Sequence, residues 1–220
     1  MTTPRRSGAD QGRSAPRLYL VTPALDTRGL AAKLAAALDA ADVAAVLARS
    51  PAAGEGELVE RMRAIAPVVQ NRGAALLIEG HAPSVEPAGA DGAHVSGIAA
   101  LEGALPGLKP RYIVGCGGLY SRHDAMVAGE RGADYVMFGE PDPDGRRPAF
   151  AAVIDRVAWW AEVFEIPCVG WAMNFDEIAA LARAGADFVA IGEPVWTSPE
   201  GPGAAIAAAA GRLSVSERIP

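Results

Sequence analysis

The chain has 220 residues, half of them apolar, 21% charged and only 6% aromatic, with 25 glycines. That composition excludes a disordered chain and calls for one substantial core built from Ala, Val, Leu and Ile. The formal charge is −6, and because residues 1–17 hold four arginines against Asp10, the remaining body carries −9. Phosphate backbones demand clustered Lys and Arg, so nucleic acid is not an expected partner.

The opening segment, residues 1–16, is polar and lacks an apolar h-region, so it reads as a disordered tail and not a secretory signal. No run reaches the roughly 18 apolar residues of a membrane span. No membrane partner is therefore expected, and cytoplasm is the expected location. Short apolar runs then follow at 17–22, 43–48, 74–79, 92–97, 112–117, 135–140, 167–172 and 188–193. They are rich in branched aliphatics and largely uninterrupted, as parallel strands buried on both faces are.

The connectors read as helices. Asp26-Thr27 can cap a helix with Leu30, Leu34 and Leu38 on one face. A second helix covers 57–71, where Pro67 is expected to kink or shorten it. Segments 82–91 and 98–109 contain Pro and Gly and are expected to be abbreviated or irregular. Segments 121–131, 148–164 and 175–185 are clearer, and Asn174 with Glu177 has the residue types of a capping box. A last helix covers 203–212.

A repeat supports this order. Gly132-Ala-Asp-Tyr-Val-Met-Phe-Gly-Glu-Pro141 matches Gly185-Ala-Asp-Phe-Val-Ala-Ile-Gly-Glu-Pro194, and Gly89-Ala-Asp-Gly-Ala-His-Val-Ser-Gly97 is a weaker copy. Eight strand–helix units without a composition break predict an α/β fold, a single (β/α)8 TIM barrel over 17–214 with a short tail at 215–220, in preference to an open doubly wound sheet. Cys116 and Cys168 lie in apolar runs, with neither a paired framework nor zinc spacing. Of 20 basic residues only Lys33 and Lys109 are lysines, and both map away from the C-terminal ends of the strands. A Schiff-base aldolase, which needs a lysine in the site, is thereby disfavoured.

RLYLVT, GADGAHVSG, GADYVMFG and IPCVGWAMNFDEIAALARAGADFVAIG together resemble thiamine-phosphate synthase and its TenI-type relatives across about residues 17–197. The resemblance implies coupling of a hydroxymethylpyrimidine diphosphate to a thiazole phosphate, by departure of pyrophosphate and capture of a pyrimidine cation. It also implies a Mg2+ cofactor held by two aspartates, phosphate contacts after strands seven and eight, and a homodimer, which the adjacent Trp159-Trp160 pair permits. Carried over residue by residue, the pattern departs from the family at many positions. The strand-two Gln-x-Arg-x-Lys is Val46-Leu47-Ala48-Arg49-Ser50, and the Asn-Asp after strand three is Glu79-Gly80, followed by His81. His94 matches the family's histidine, the second magnesium aspartate falls on Ala99, and the strand-five serine is lost in Cys116-Gly117-Gly118. The strand-six loop is Glu140-Pro-Asp-Pro-Asp-Gly-Arg146-Arg147, and the Gly-Gly turn falls on Ala172-Met173. A TenI-type tautomerase would need a histidine just after strand five, where Leu119 and Tyr120 stand.

Barrel ligands bind at the C-terminal ends of the strands. A small-molecule site is therefore expected there, with His94, His81 and Glu79 as catalytic candidates. Arg49, Cys116, Glu140, Arg146, Arg147, Trp171, Ala172, Met173, Gly192 and Glu193 are the candidate ligand contacts. Glu79 and Glu140 are the only metal candidates, and their spacing is not diagnostic. A carboxylate facing a phosphate at ~5 Å costs about 3 kcal/mol at an effective dielectric of 20. Two functions stay open: a divergent synthase, or a family member without synthase chemistry that binds another small molecule or a protein partner.

Overall fold

The apolar runs pair edge to edge in chain order, all parallel, and the last returns to the first, so the sheet closes into a barrel. The strands are β1 (Arg17–Val21), β2 (Val43–Ala48), β3 (Ala75–Glu79), β4 (Gly92–Ser96), β5 (Ile113–Gly117), β6 (Tyr135–Phe138), β7 (Cys168–Ala172) and β8 (Phe188–Ile191). The computed structural model describes residues 15–23, 29–49, 54–142 and 144–216. Residues 1–14 of the expected 1–16 tail, the cap at Asp26-Thr27 and residues 217–220 of the expected 215–220 tail lie outside the described residues.

The connecting helices are α1 (Leu30–Ala40), α2 (Glu55–Gln70), α3 (Val85–Ala88), α4 (Ile98–Leu108), α5 (Arg122–Arg131), α6 (Phe150–Val163), α7 (Phe175–Arg183), α8 (Glu193–Trp196) and α9 (Gly201–Ser216). Two proline expectations are corrected. The α2 helix runs through Pro67 to Gln70, and α4 is regular over 11 residues with Pro106 in its last turn. Both prolines sit on exposed faces of their helices. The buried stripes, Leu58-Met62-Ile65-Val69 and Leu101-Ala104-Leu108, hold the helices regardless. Residues 82–91 do abbreviate, to a 3-10 turn (Ala82–Ser84) followed by the single turn of α3. The α8 turn was not anticipated, and α9 outruns the expected 203–212.

Alternation along each strand divides the core in two. One set of side chains, including Leu20, Val46, Ile78, Val114 and Cys116, packs outward against the helices. The other, Tyr19, Val21, Leu47, Leu77, Tyr135, Met137, Val169, Trp171 and Ala190, fills the barrel itself.

The Gly-Ala-Asp repeat explains how units join at the N-terminal rim. Gly89, Gly132 and Gly185 end their helices at φ of 68°, 101° and 96°, a left-handed conformation that glycine takes freely. The following alanine N–H then closes back onto the helix at Val85, Ala128 and Leu181. Each aspartate next bonds the preceding strand twice. Asp91 accepts from the Leu76 N–H at 2.7 Å, Asp134 from Val114 at 2.7 Å and Asp187 from Cys168 at 2.8 Å, while their own N–H groups donate to the same three residues. Lys109 pairs with Asp134 on this rim, away from the barrel mouth.

Candidate functional site

Small residues at inward positions of β4 and β5 open the barrel interior. A Cβ on Gly115 would lie 1.9 Å from Tyr135 Cζ, and one on Gly117 would lie 1.6 Å from Glu140 Oε2. The vacated space holds a polar chain. Tyr19 and Tyr135 share a hydrogen bond of 2.8 Å, and Tyr135 Oη meets His94 Nδ1 at 2.9 Å. His94 Nε2 meets Glu140 Oε1 at 2.9 Å, and the Gly118 N–H donates to Glu140 Oε2 at 3.0 Å. The His94 and Tyr135 rings stack 5.6 Å apart. Burial raises both tyrosine hydroxyls above their ordinary range, so both stay protonated donors.

A carboxylate only accepts, so with Glu140 as a carboxylate His94 donates to it from Nε2, while the donor and acceptor roles of His94 Nδ1, Tyr135 and Tyr19 follow the state of the imidazole. His94 is 2% exposed whereas the Glu140 side chain is 17% exposed, so the chain begins in the closed interior and opens at Glu140.

Glu140 faces a cavity of about 530 Å3 at the C-terminal mouth, lined also by Arg49, Glu79, Ser96, Asp142, Arg146, Arg147 and Arg156. The cations are largely spoken for. Arg49 Nε donates to Glu79 at 3.1 Å, and Arg146 pairs with Asp142 and Asp144. Arg147 pairs with the largely buried Glu177 and donates to the Trp171 carbonyl. Arg156 donates to the Leu119 and Tyr120 carbonyls. A groove of about 610 Å3 lies outside the barrel between the 3-10 turn and α4. Apart from Glu86 and Ser96 it is lined by apolar and small residues, so it lacks the convergent polar groups of the mouth.

Among the expected site residues, the cavity brings together Arg49, Glu79, His94, Glu140, Arg146 and Arg147. The others point elsewhere. His81 is exposed before the 3-10 turn. Cys116 packs outward, and burial, helped by the Glu140 charge, pushes its thiol up to about 12. Trp171 fills the barrel interior and Ala172 the helix layer. Glu193, after Gly192, opens α8. Met173 is partly exposed, with its N–H donating to Glu177 at 2.8 Å. That contact corrects the capping-box expectation. Asn174 does cap α7, but Glu177 turns instead to Met173 and Arg147. Tyr19, Tyr135, Ser96 and Arg156 were not anticipated; for the tyrosines, counting alternate positions along β1 and β6 is the signal that would have found them.

The magnesium implied by the resemblance has no matching carboxylate pair. Glu79 faces Arg49, Glu140 faces His94 and Gly118, and Ala99 offers no ligand. Among the described residues no group of three or more His, Cys, Asp or Glu could hold a metal ion. Among them, too, no helix is long and apolar enough to cross a membrane.

Fold and cavity define a (β/α)8 barrel with a pocket lined by charged side chains at its C-terminal mouth. The family model described as thiamine monophosphate synthase matches residues 18–195, and the chain belongs to that family. It is 39% identical over 200 residues to a thiamine-phosphate synthase of Rhodospirillum centenum, covering 87% of this chain and 94% of that one. A thiamine-phosphate synthase of Hyphomonas neptunium is 33% identical, with 90% and 94% covered. Among solved structures, a thiamine phosphate pyrophosphorylase from Pyrococcus furiosus superposes with a TM-score of 0.74 at 22% identity, covering 91% of this chain and 96% of that one. This last likeness speaks for the fold.

Proposed function

We propose that this family member binds a small molecule less anionic than a diphosphate and does not couple hydroxymethylpyrimidine diphosphate to thiazole phosphate. The observation that carries this reading is that Arg49, Arg146 and Arg147 already hold carboxylates of the protein itself. An entering diphosphate must displace Glu79, Asp142 and Glu177 or face them, at about 3 kcal/mol for each carboxylate left at ~5 Å. The protein acts in the cytoplasm, on a small molecule rather than on nucleic acid or membrane, and as a homodimer.

Retention of the synthase reaction is the second reading. It is favoured by Arg156, whose partners in the cavity wall are carbonyls, and by the 39% identity to the Rhodospirillum centenum relative. Supplying both thiamine precursors with Mg2+ and measuring thiamine phosphate separates the two. Turnover above about 10⁻² s⁻¹, well below ordinary enzyme rates, establishes the second reading and removes the first. Calorimetric titration with pyrophosphate and Mg2+ is expected to give no heat, and sedimentation velocity tests the homodimer.

A further inference from the structure

The mouth cavity continues into a second compartment. The groove of about 610 Å3 outside the barrel shares two wall residues with the mouth, Gly80 after β3 and Ser96 at the end of β4. The rim between them is low. Gly80 has no side chain, with open space where a Cβ would stand, and Ser96 is small and exposed. The groove exists because α3 is a single turn and because α4 turns small residues, Ala100, Gly103, Ala104 and Gly107, toward it. Its floor is apolar, with Val95, Ala104 and Leu108 all buried. From Ala100 to Gly107 it follows two turns of α4, about 10 Å at the rise of an α-helix. Glu86 on α3 is bonded to Arg111, beyond the end of α4, and this ion pair bounds the apolar stretch.

We propose that the ligand of this protein is an amphiphile. Its polar head sits at the mouth, and its apolar tail crosses the rim between Gly80 and Ser96 and lies in the groove along α4. This rests on the reading that the mouth takes a ligand of low negative charge. The continuity of the two compartments selects the tail of the mouth ligand as the occupant. The chemistry of the walls does the same. The only polar side chains of the groove are Ser96, on the rim, and Glu86, already held by Arg111. An extended peptide laid there would leave backbone N–H and C=O groups without partners, whereas a hydrocarbon tail has none to satisfy. A chain of about eight carbons matches the roughly 10 Å that two helical turns provide. The tail then supplies affinity through burial, and the charged side chains of the mouth orient the head.

The test uses alkyl β-D-glucosides, whose head is uncharged, titrated calorimetrically into the full chain below their micelle concentrations. Each CH2 moved from water onto a half-open apolar wall tightens binding roughly twofold, so octyl glucoside is expected to bind at least about tenfold more tightly than butyl glucoside. The double variant Gly103→Leu/Gly107→Leu fills the groove. Nothing stands within 4 Å of a Cβ at either position, and leucine favours the helix. In that variant the two glucosides are expected to bind within about twofold of each other, with the affinity for butyl glucoside unchanged. Gly56→Leu, equally open on α2, is the control and keeps the full chain-length gain. Octyl glucoside is also expected to shift the amide resonances of both Gly118 at the mouth and Gly103 in the groove. Circular dichroism confirms that each variant is folded. The proposal is overturned by octyl glucoside binding no more tightly than butyl, or by a chain-length gain that survives groove filling. Shifts confined to the groove overturn it too, making the groove a separate docking surface for a peptide or a second copy. Pyrophosphate binding beside an intact chain-length gain overturns only the reading on which the proposal rests. Absence of the gain without pyrophosphate binding overturns only the amphiphile.

Discussion

Adding one methyl group at Gly117 tests the interior most sharply. An ideal Cβ there falls 1.6 Å from Glu140 Oε2, 2.4 Å from its Cδ and 2.7 Å from His94 Nε2. Glu140 is the flexible partner, so Gly117→Ala rotates its carboxylate outward into the cavity. That movement breaks the bonds to His94 Nε2 and the Gly118 N–H. Hydrogen bonds to charged groups contribute roughly 1.5–3 kcal/mol each, and water entering at the mouth restores part of this. The net loss is therefore about 2–4 kcal/mol, or roughly 5–15 °C in Tm for a chain of this length. Gly103→Ala is the control: it lies in α4 with nothing within 4 Å of its added Cβ, so it is expected to stabilise by about 0.5–1 kcal/mol. Thermal melts followed by far-ultraviolet circular dichroism read both. A Gly117→Ala protein as stable as the parent, with Gly103→Ala behaving as stated, would refute the claim that this glycine makes room for the Glu140–His94 pair.

Three further outcomes are expected. Asp91→Ala, Asp134→Ala and Asp187→Ala should each cost about 1.5–3 kcal/mol in urea melts, because each removes a charge-assisted bond to a strand N–H; widely unequal losses would contradict a shared role. Cys116 should resist iodoacetamide at pH 8 until the protein is unfolded, its thiol being buried and pushed up to about 12; rapid native-state alkylation, located by mass spectrometry, would contradict this. Asp42 is held below the usual carboxylate range by the hydrogen bond from Arg17. Its contribution is present above the unfolded value near ~3.9 and is lost as pH falls through its lower native value, so Asp42→Asn should flatten the stability curve on that acid side.

The barrel was legible because its causes are local. Eight branched-aliphatic runs, and a Gly-Ala-Asp signature that ends a helix and starts a strand, need no long-range information. The site was legible only as far as strand ends could be counted. His94, Glu79 and Glu140 follow from that count, but the partner of Tyr135 lies 116 residues away in sequence, and the room for both rings comes from side chains that are absent. Cys116 and Trp171 were misread for want of alternation. On β5 the inward positions are Gly115 and Gly117, which sends Cys116 to the helices, while Trp171 falls on the inward side of β7. Arg147 presents the opposite difficulty. It does reach the cavity, but its counter-charge Glu177 is 30 residues on and carries the residue type of a helix cap, so sequence assigns it another role.

These pairings change what the acidic composition means for the mouth. Four arginines and three carboxylates line the cavity, and Asp144 and Glu177 stand behind Arg146 and Arg147. The mouth is therefore close to neutral, with its cations fixed in place. Arginine suits that arrangement because its planar fork holds two acceptors at once, as Arg146 holds Asp142 and Asp144 and Arg147 holds Glu177 and the Trp171 carbonyl. The β6–α6 loop follows the same principle. Asp142 accepts from the N–H groups of Asp144 and Arg146, and its own N–H donates to the Arg146 carbonyl, so the loop is organised by its own acids without a phosphate. Against that background Glu140 differs from the other mouth acids, since its partners are an imidazole and a backbone N–H rather than a guanidinium.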